Sequence, residues 1–96
     1  MNTYSDNNPP KSGNAKKIYT AFKEKGWDVA DLHYNPNCWG KASENGWGTW
    51  ACQVYGTGLY AGDSVSSMFF CGIQNNRVYI QRLNAPYTAW YVDDIG

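Results

Sequence analysis

Residues 67–83 read SMFFCGIQNNRVYIQRL, and this stretch decides the fold. Asn75-Asn76 suits a two-residue hairpin loop because asparagine tolerates positive φ. With that loop, Ile73 pairs with Val78, and strand alternation then places one apolar set on a single face. That set consists of Phe69, Cys71, Ile73, Val78 and Ile80, with Arg82 at its far end. Turn chemistry and alternation agree on one register, so the stretch predicts an antiparallel hairpin with one core face.

The N-terminal part of the chain predicts one amphipathic helix. Ser12 or Asn14 caps its first turn, and Gly26 supplies a left-handed stop. Ile18 and Phe22 are four residues apart, so they share one helical face. A helix this short needs a sheet on which to bury that face.

Three other segments complete the predicted sheet. Residues 27–34 alternate partially, with an interruption near Ala30-Asp31, which favours a strand with a bulge over an irregular connection. Residues 49–55 alternate clearly, and residues 87–92 form a last short strand or a docked tail. The fold class is therefore α+β, with one N-terminal amphipathic helix packed on a small antiparallel sheet of about four strands.

A length of 96 residues allows one domain. Residues 1–13 are rich in Asn, Ser and Pro and indicate a flexible N-terminal arm, and residues 14–96 are expected to form the single α+β domain. The expected core consists of Ile18, Phe22, Trp27, Val29, Leu32, Trp50, Cys52, Val54, Phe69, Cys71, Ile73, Val78 and Ile80.

Composition excludes several classes of protein. The 8 Lys+Arg and 8 Asp+Glu residues balance, which argues against dedicated duplex-DNA binding. No apolar run reaches the ~18–20 residues of a membrane helix, and the polar start is not a signal peptide. We therefore expect a cytoplasmic protein. Residues 1–25 contain five lysines and two acidic residues, so this part of the chain is positively charged. The excess charge either steers the approach of a partner or belongs simply to a solvent-exposed helix face.

The residues that could perform chemistry are Cys38, Cys52, Cys71 and the single histidine, His33. No Cys-x-x-Cys or His-x-x-His pair is present, so neither zinc nor another cofactor is expected. No nucleophile motif surrounds the cysteines, which predicts a protein that is not an enzyme, with a small Cys/His enzyme as an alternative. The odd cysteine count fits a reducing compartment, where all three remain thiols.

Aromatic residues carry the functional prediction. The 5 Trp, 8 Tyr and 3 Phe exceed what one small core hides, and exposed Trp and Tyr are typical of recognition surfaces. The plainer interpretation is that about half of them plug the ends of the core. The candidate partner-binding residues are Trp39, Trp47, Tyr55, Tyr60, Tyr79 and Tyr87, with Arg77 as an anchor and Lys16 and Lys17 for steering.

These features predict a small binding protein that docks on a larger protein or a protein–nucleic acid complex. Carbohydrate or single-stranded nucleic acid is the alternative ligand for the exposed rings. In general character the chain resembles the small stand-alone proteins with which phages and mobile elements block host machinery, anti-CRISPR proteins among them. The resemblance implies a stoichiometric inhibitor or adaptor, but it specifies no residue. Secreted effectors and phage structural accessories share the same traits, and the oligomeric state stays open.

Overall fold

The computed structural model describes residues 3–36, 48–55, 67–83 and 89–94. One helix lies on one face of an antiparallel sheet whose strand order follows the chain. The elements are β1 (Thr3–Tyr4), α1 (Gly13–Glu24), β2 (Asp28–Tyr34), β3 (Gly48–Tyr55), β4 (Ser67–Gln74), β5 (Arg77–Arg82), β6 (Ala89–Tyr91) and a 3₁₀ turn (Val92–Asp94). The predicted α+β fold is confirmed. The four or so predicted strands correspond to β2–β5, and the short strands β1 and β6 extend the sheet at its edges.

The β4–β5 hairpin has the predicted register. Gln74 pairs with Arg77 and Ile73 with Val78. The two loop residues, Asn75 and Asn76, have φ of 54° and 59°. Both asparagines therefore lie in the left-handed region, which gives the turn the twist that adjoining strands require. The face of the sheet that α1 covers is called the inner face below, and the opposite one the outer face.

α1 packs on the inner face through Ala15, Ile18 and Phe22, all of which are buried. Ser12 occupies the N-cap position, as expected, but its side chain makes no capping hydrogen bond. With 12 residues α1 is short, and no helix in the described ranges is long and apolar enough to cross a membrane.

The helix ends at Glu24, and Gly26 supplies the predicted left-handed stop as part of a Schellman motif. Gly26 has a φ of +82°, and its amide donates to the Lys23 carbonyl at 2.9 Å. The Trp27 amide donates to the Phe22 carbonyl at 3.2 Å, and the two rings are 5.9 Å apart. The motif satisfies carbonyls that the helix leaves open and brings Trp27 into the core at once.

Gly26→Ala should lower the free energy of unfolding by about 1–2 kcal/mol, since a Cβ disfavours this left-handed conformation. Nothing lies within 4 Å of the added Cβ, so backbone strain is the only cost. Urea unfolding of this variant and of Gly26→Asn, which tolerates positive φ better, measures the effect. Equal stability of the alanine variant and the parent would contradict this account.

The inner-face core closely matches the expected set. Its buried members are Ala15, Ile18, Phe22, Trp27, Val29, Leu32, Cys52, Val54, Phe69, Cys71, Val78, Ile80 and Val92. Trp50 and Ile73 pack against this cluster but are only partly buried. Ala15 and Val92 are the additions, and Val92 comes from the 3₁₀ turn after β6.

A bulge in β2 makes part of this core possible. Val29 and Leu32 are three residues apart, so a regular strand would direct them to opposite faces. The register shifts between Ala30 and His33, and Asp31 has a φ of 54°. This extra residue returns Leu32 to the inner face, where it is fully buried. The predicted strand with a bulge near Ala30-Asp31 is confirmed.

The N-terminal segment, residues 3–6, is docked on the sheet within the stretch 1–13 for which the sequence predicts a flexible arm. Thr3 pairs with His33 and Tyr4 with Leu32, so β1 extends the edge of β2. The Asp6 amide donates to the Val29 carbonyl at 3.1 Å, which continues the attachment. Composition did not reveal this pairing because it uses backbone groups that every residue except proline possesses.

Asp6 ties this segment to the helix as well as to the sheet. Its carboxylate accepts hydrogen bonds from the Tyr19 hydroxyl at 3.0 Å and the Val29 amide at 3.2 Å, and the Lys23 ammonium lies 3.2 Å away. Burial raises the pKa of Asp6, but the hydrogen bonds that it accepts outweigh this effect and hold that pKa below its ordinary value. The ionised form of Asp6 therefore stabilises the folded state.

Asp6→Ala should cost about 1–2 kcal/mol of unfolding free energy at neutral pH, because a backbone amide and a phenol lose their acceptor. The pKa is lower in the folded state, so this stabilisation is complete above the unfolded-state value near ~4 and declines as the pH falls through the folded-state value. Urea unfolding at pH values from neutral to strongly acidic should show the parent and the variant converging.

Tyr19→Phe provides the matched control for that experiment. It removes one donor and leaves the carboxylate and its other partners, so its loss should be the smaller, about 0.5–1 kcal/mol. If the difference in unfolding free energy between the parent and Asp6→Ala does not shrink in acid, the carboxylate does not have this role.

Candidate functional site

A groove runs between α1 and the β4–β5 hairpin, with a volume of about 510 Å³. Ala21, Ile73 and Val78 contribute its apolar lining. Lys16, Lys17 and the acidic Glu24 are the charged residues that line it from the helix. It is named the helix–hairpin groove below, and its mixture of apolar surface and convergent charge is typical of binding sites.

The lysines of the groove are exposed and follow from the helical pattern. Ile18 and Phe22 face inward, so Lys16 and Lys17 lie toward the surface. The Lys17 ammonium donates to the Asn76 side-chain oxygen at 3.2 Å and so bridges helix and hairpin. Neither lysine forms an ion pair with any acidic residue in the described ranges, which leaves both charges able to attract an anionic partner.

Arg77 also lines the groove, but its charge is engaged within the protein. Its Nε donates to Asp93 at 2.8 Å and its Nη2 to Asp94 at 3.0 Å. The guanidinium carbon also lies 4.0 Å from the centre of the Tyr91 ring. The Asp93 hydrogen bond and the nearby Asp94 charge raise the pKa of Arg77. Arg77 therefore holds the C-terminal turn against the hairpin, a role that its sequence position did not indicate.

Tyr79 is buried, with 9% of its surface exposed, so it is not one of the exposed rings that the predicted recognition surface requires. It pairs with Gly72 of β4 on one side, and β6 on the other side places Tyr91 opposite it. The two tyrosine rings meet edge to face with centroids 5.4 Å apart. Burial raises the pKa of the Tyr79 hydroxyl.

The middle of the outer face is also buried. Ala51 and Phe70 form a second small cluster there, with Leu83 packed against them, and Gln81 is 2% exposed. Arg82, at the end of the inner-face set, is 7% exposed. Neither the middle of the outer face nor Arg82 offers the accessible anchors that a docking surface needs.

Of the predicted partner-binding aromatic residues that the structure describes, Tyr55 is the exposed one, with 42% of its surface accessible. The register places it diagonal to Met68 on the outer face, and Met68 is 40% exposed. Tyr34 is exposed at 46% but was not among the predicted residues. Four other predicted residues lie outside the described residues, namely Trp39, Trp47, Tyr60 and Tyr87.

The possible catalytic residues are not gathered into one place in the described chain. Cys52 and Cys71 are buried on the inner face, whereas His33 pairs with Ala51 and so belongs to the outer face. The His33 Nδ1 lies 2.8 Å from the Asp31 carbonyl oxygen. In the described ranges no group of three or more His, Cys, Asp and Glu side chains is arranged to hold a metal ion. Cys38 lies outside those ranges.

No family model, no curated protein and no solved structure matches the chain. Sequence reasoning selected Lys16, Lys17 and Arg77, and the fold brings these three together in the helix–hairpin groove. It missed Asn76 and Asp93, whose only sequence signals are a hairpin loop and a short acidic stretch.

Tyr79→Ala should lower the free energy of unfolding by about 2–4 kcal/mol, because it removes a buried ring and its contact with Tyr91. The exposed Tyr55 is the matched control, and Tyr55→Ala should change stability by no more than about 0.5 kcal/mol. Thermal and urea unfolding of both variants measure the difference. Similar losses of unfolding free energy in the two variants would contradict the assignment of Tyr79 to the interior and of Tyr55 to the surface.

Proposed function

We propose that the protein is a non-enzymatic binding protein, a stoichiometric inhibitor or adaptor that docks on a larger protein or nucleoprotein in the cytoplasm. Phages and mobile elements encode proteins of this type. The observation that carries the proposal is the helix–hairpin groove, which combines apolar lining with Lys16 and Lys17. Aromatic residues elsewhere on the surface, such as Tyr55, extend the contact area.

The charges of the groove favour an acidic partner segment. Lys16 and Lys17 present two exposed cations on the helical side, against one exposed carboxylate there, that of Glu24. Arg77 adds little further positive charge because Asp93 and Asp94 neutralise it. An acidic side chain near the lysines is attracted, and one near Asp93 is repelled, so the two ends of the groove distinguish the orientation of the segment.

The apolar lining of the groove provides the affinity that surface charge alone does not. Solvent-exposed ion pairs contribute about 0–1 kcal/mol each, whereas one fully buried aliphatic side chain contributes about 1.5–3 kcal/mol. Ile73 is half-buried at the groove and is ready to be covered further. The proposed occupant is therefore a protein segment that carries an apolar residue beside one or more Asp or Glu residues.

Lys16→Glu combined with Lys17→Glu should weaken binding by about tenfold or more, equivalent to about 1.4 kcal/mol, because two attractive charges become repulsive. An array of synthetic peptides of mixed composition, probed with the purified protein, identifies the binding sequences and measures the effect. The expected binders are enriched in Asp and Glu next to Leu, Ile or Phe.

Lys11→Glu combined with Lys25→Glu is the charge-matched control, since neither residue lines the groove. This variant should retain most of the affinity. Thr20→Trp tests the groove without a change of charge, because Thr20 is exposed and lines the groove, where a large ring would fill it. Peptides without acidic enrichment, or equal losses in both double variants, would refute the proposal.

A further inference from the structure

The thiols of Cys52 and Cys71 meet in the inner-face core. Their sulfur atoms are 3.3 Å apart, and both residues are fully buried. Cys52 lies in β3 and Cys71 in β4, and the pairs Cys52–Phe69 and Trp50–Cys71 make the two cysteines diagonal neighbours. They are 19 residues apart in sequence, so the strand pairing alone brings them together.

Burial by itself requires only small apolar side chains at these positions, whereas sulfur–sulfur contact allows a specific reaction. A disulfide needs the sulfurs about 2.05 Å apart, so they would have to approach by only about 1.2 Å. The register makes the two residues diagonal neighbours, which are usually about 7–8 Å apart, so closure of the disulfide also requires β3 and β4 to draw together locally. We propose that Cys52 and Cys71 are a modification site, a dithiol that closes to an intramolecular disulfide by exchange with a small disulfide such as glutathione disulfide.

The exchange balances in two steps. One cysteine thiolate attacks glutathione disulfide, so that its sulfur–sulfur bond breaks, a mixed disulfide forms and one glutathione thiolate leaves. The second cysteine thiolate attacks the protein sulfur of the mixed disulfide and releases the second glutathione. The two cysteines lose two electrons, glutathione disulfide accepts them, and the two cysteine protons end on two glutathione thiols.

Burial selects the intramolecular product. Both thiols are inaccessible in the closed sheet, so the first step proceeds when β3 and β4 open locally. A glutathione attached to either sulfur does not fit the packed core, whereas a disulfide between the two sulfurs occupies less space than the two thiols. Reclosure of the sheet therefore drives the second step.

Equilibration of a Cys38→Ser protein in glutathione buffers of increasing oxidising ratio tests this proposal, since only the two core cysteines then remain. After alkylation, mass spectrometry should show direct conversion from dithiol to internal disulfide without accumulation of glutathione adducts. The oxidised form should have a higher urea midpoint because the cross-link restricts the unfolded chain. The same buffers in concentrated urea should give at least tenfold less internal disulfide, since the proximity comes from the fold.

The linked peptides must be separated with chymotrypsin. Trypsin leaves both cysteines in residues 42–77, because no Lys or Arg lies between Lys41 and Arg77. Chymotryptic cleavage after Tyr55 and Phe70 separates the two cysteines into different peptides, which the disulfide then joins.

The control adds Cys52→Ser or Cys52→Ala to the Cys38→Ser protein. Either variant should take up one glutathione at most and gain no stability on oxidation. Two glutathione adducts on the Cys38→Ser protein, disulfide-linked dimers, or a dithiol that persists in the most oxidising buffer would each overturn the proposal. So would equal disulfide yields from folded and urea-unfolded protein.

Discussion

The register of the β4–β5 hairpin is the constraint on which the rest of the structure depends. Two asparagines with positive φ fix which residues of β4 and β5 face each other. A slip of one residue would turn over the faces of one strand relative to the other, so that Phe69 of β4 and Ile80 of β5 could no longer both face the helix. The same register places Asn76 and Arg77 beside α1, so it forms one wall of the helix–hairpin groove. A local turn preference thus determines both the core and the candidate site.

Polar contacts between residues distant in sequence attach the chain segments that the apolar core does not hold. Asp6 joins the N-terminal segment to Tyr19 of the helix and Val29 of β2, and Arg77 joins the hairpin to Asp93 and Asp94 near the other end of the chain. Each cluster attaches a segment that is too short to bury much apolar surface. In the groove, the second cluster also neutralises the charge of Arg77 and leaves Lys16 and Lys17 as the other cations of the lining, with Glu24 beside them on the helix.

Elements with local signals were predictable from the sequence. Asn75-Asn76, the interruption near Asp31 and the stop at Gly26 each have a backbone preference that a few residues express, and all three appear in the structure. The pairing of β1 was not predictable, because Thr3 and Tyr4 join the distant residues His33 and Leu32 through backbone groups that carry no sequence signal. Burial of Tyr79 depends on where β6 pairs, which no periodicity in β5 encodes. For the site, charge selected Lys16 and Lys17, but the groove exists only because of where α1 crosses the sheet. The prediction that this surface binds a partner stays a prediction.

The two shortest strands occupy the two edges of the sheet. β1 has two residues and β6 has three, whereas the four strands between them have six to eight. An edge strand exposes backbone donors and acceptors on which another chain can polymerise, and a short edge offers few of them. The docked N-terminal segment therefore covers the edge of β2 and limits self-association through that edge. Without it, the seven-residue β2 would become the outermost strand and a template for fibrous stacking.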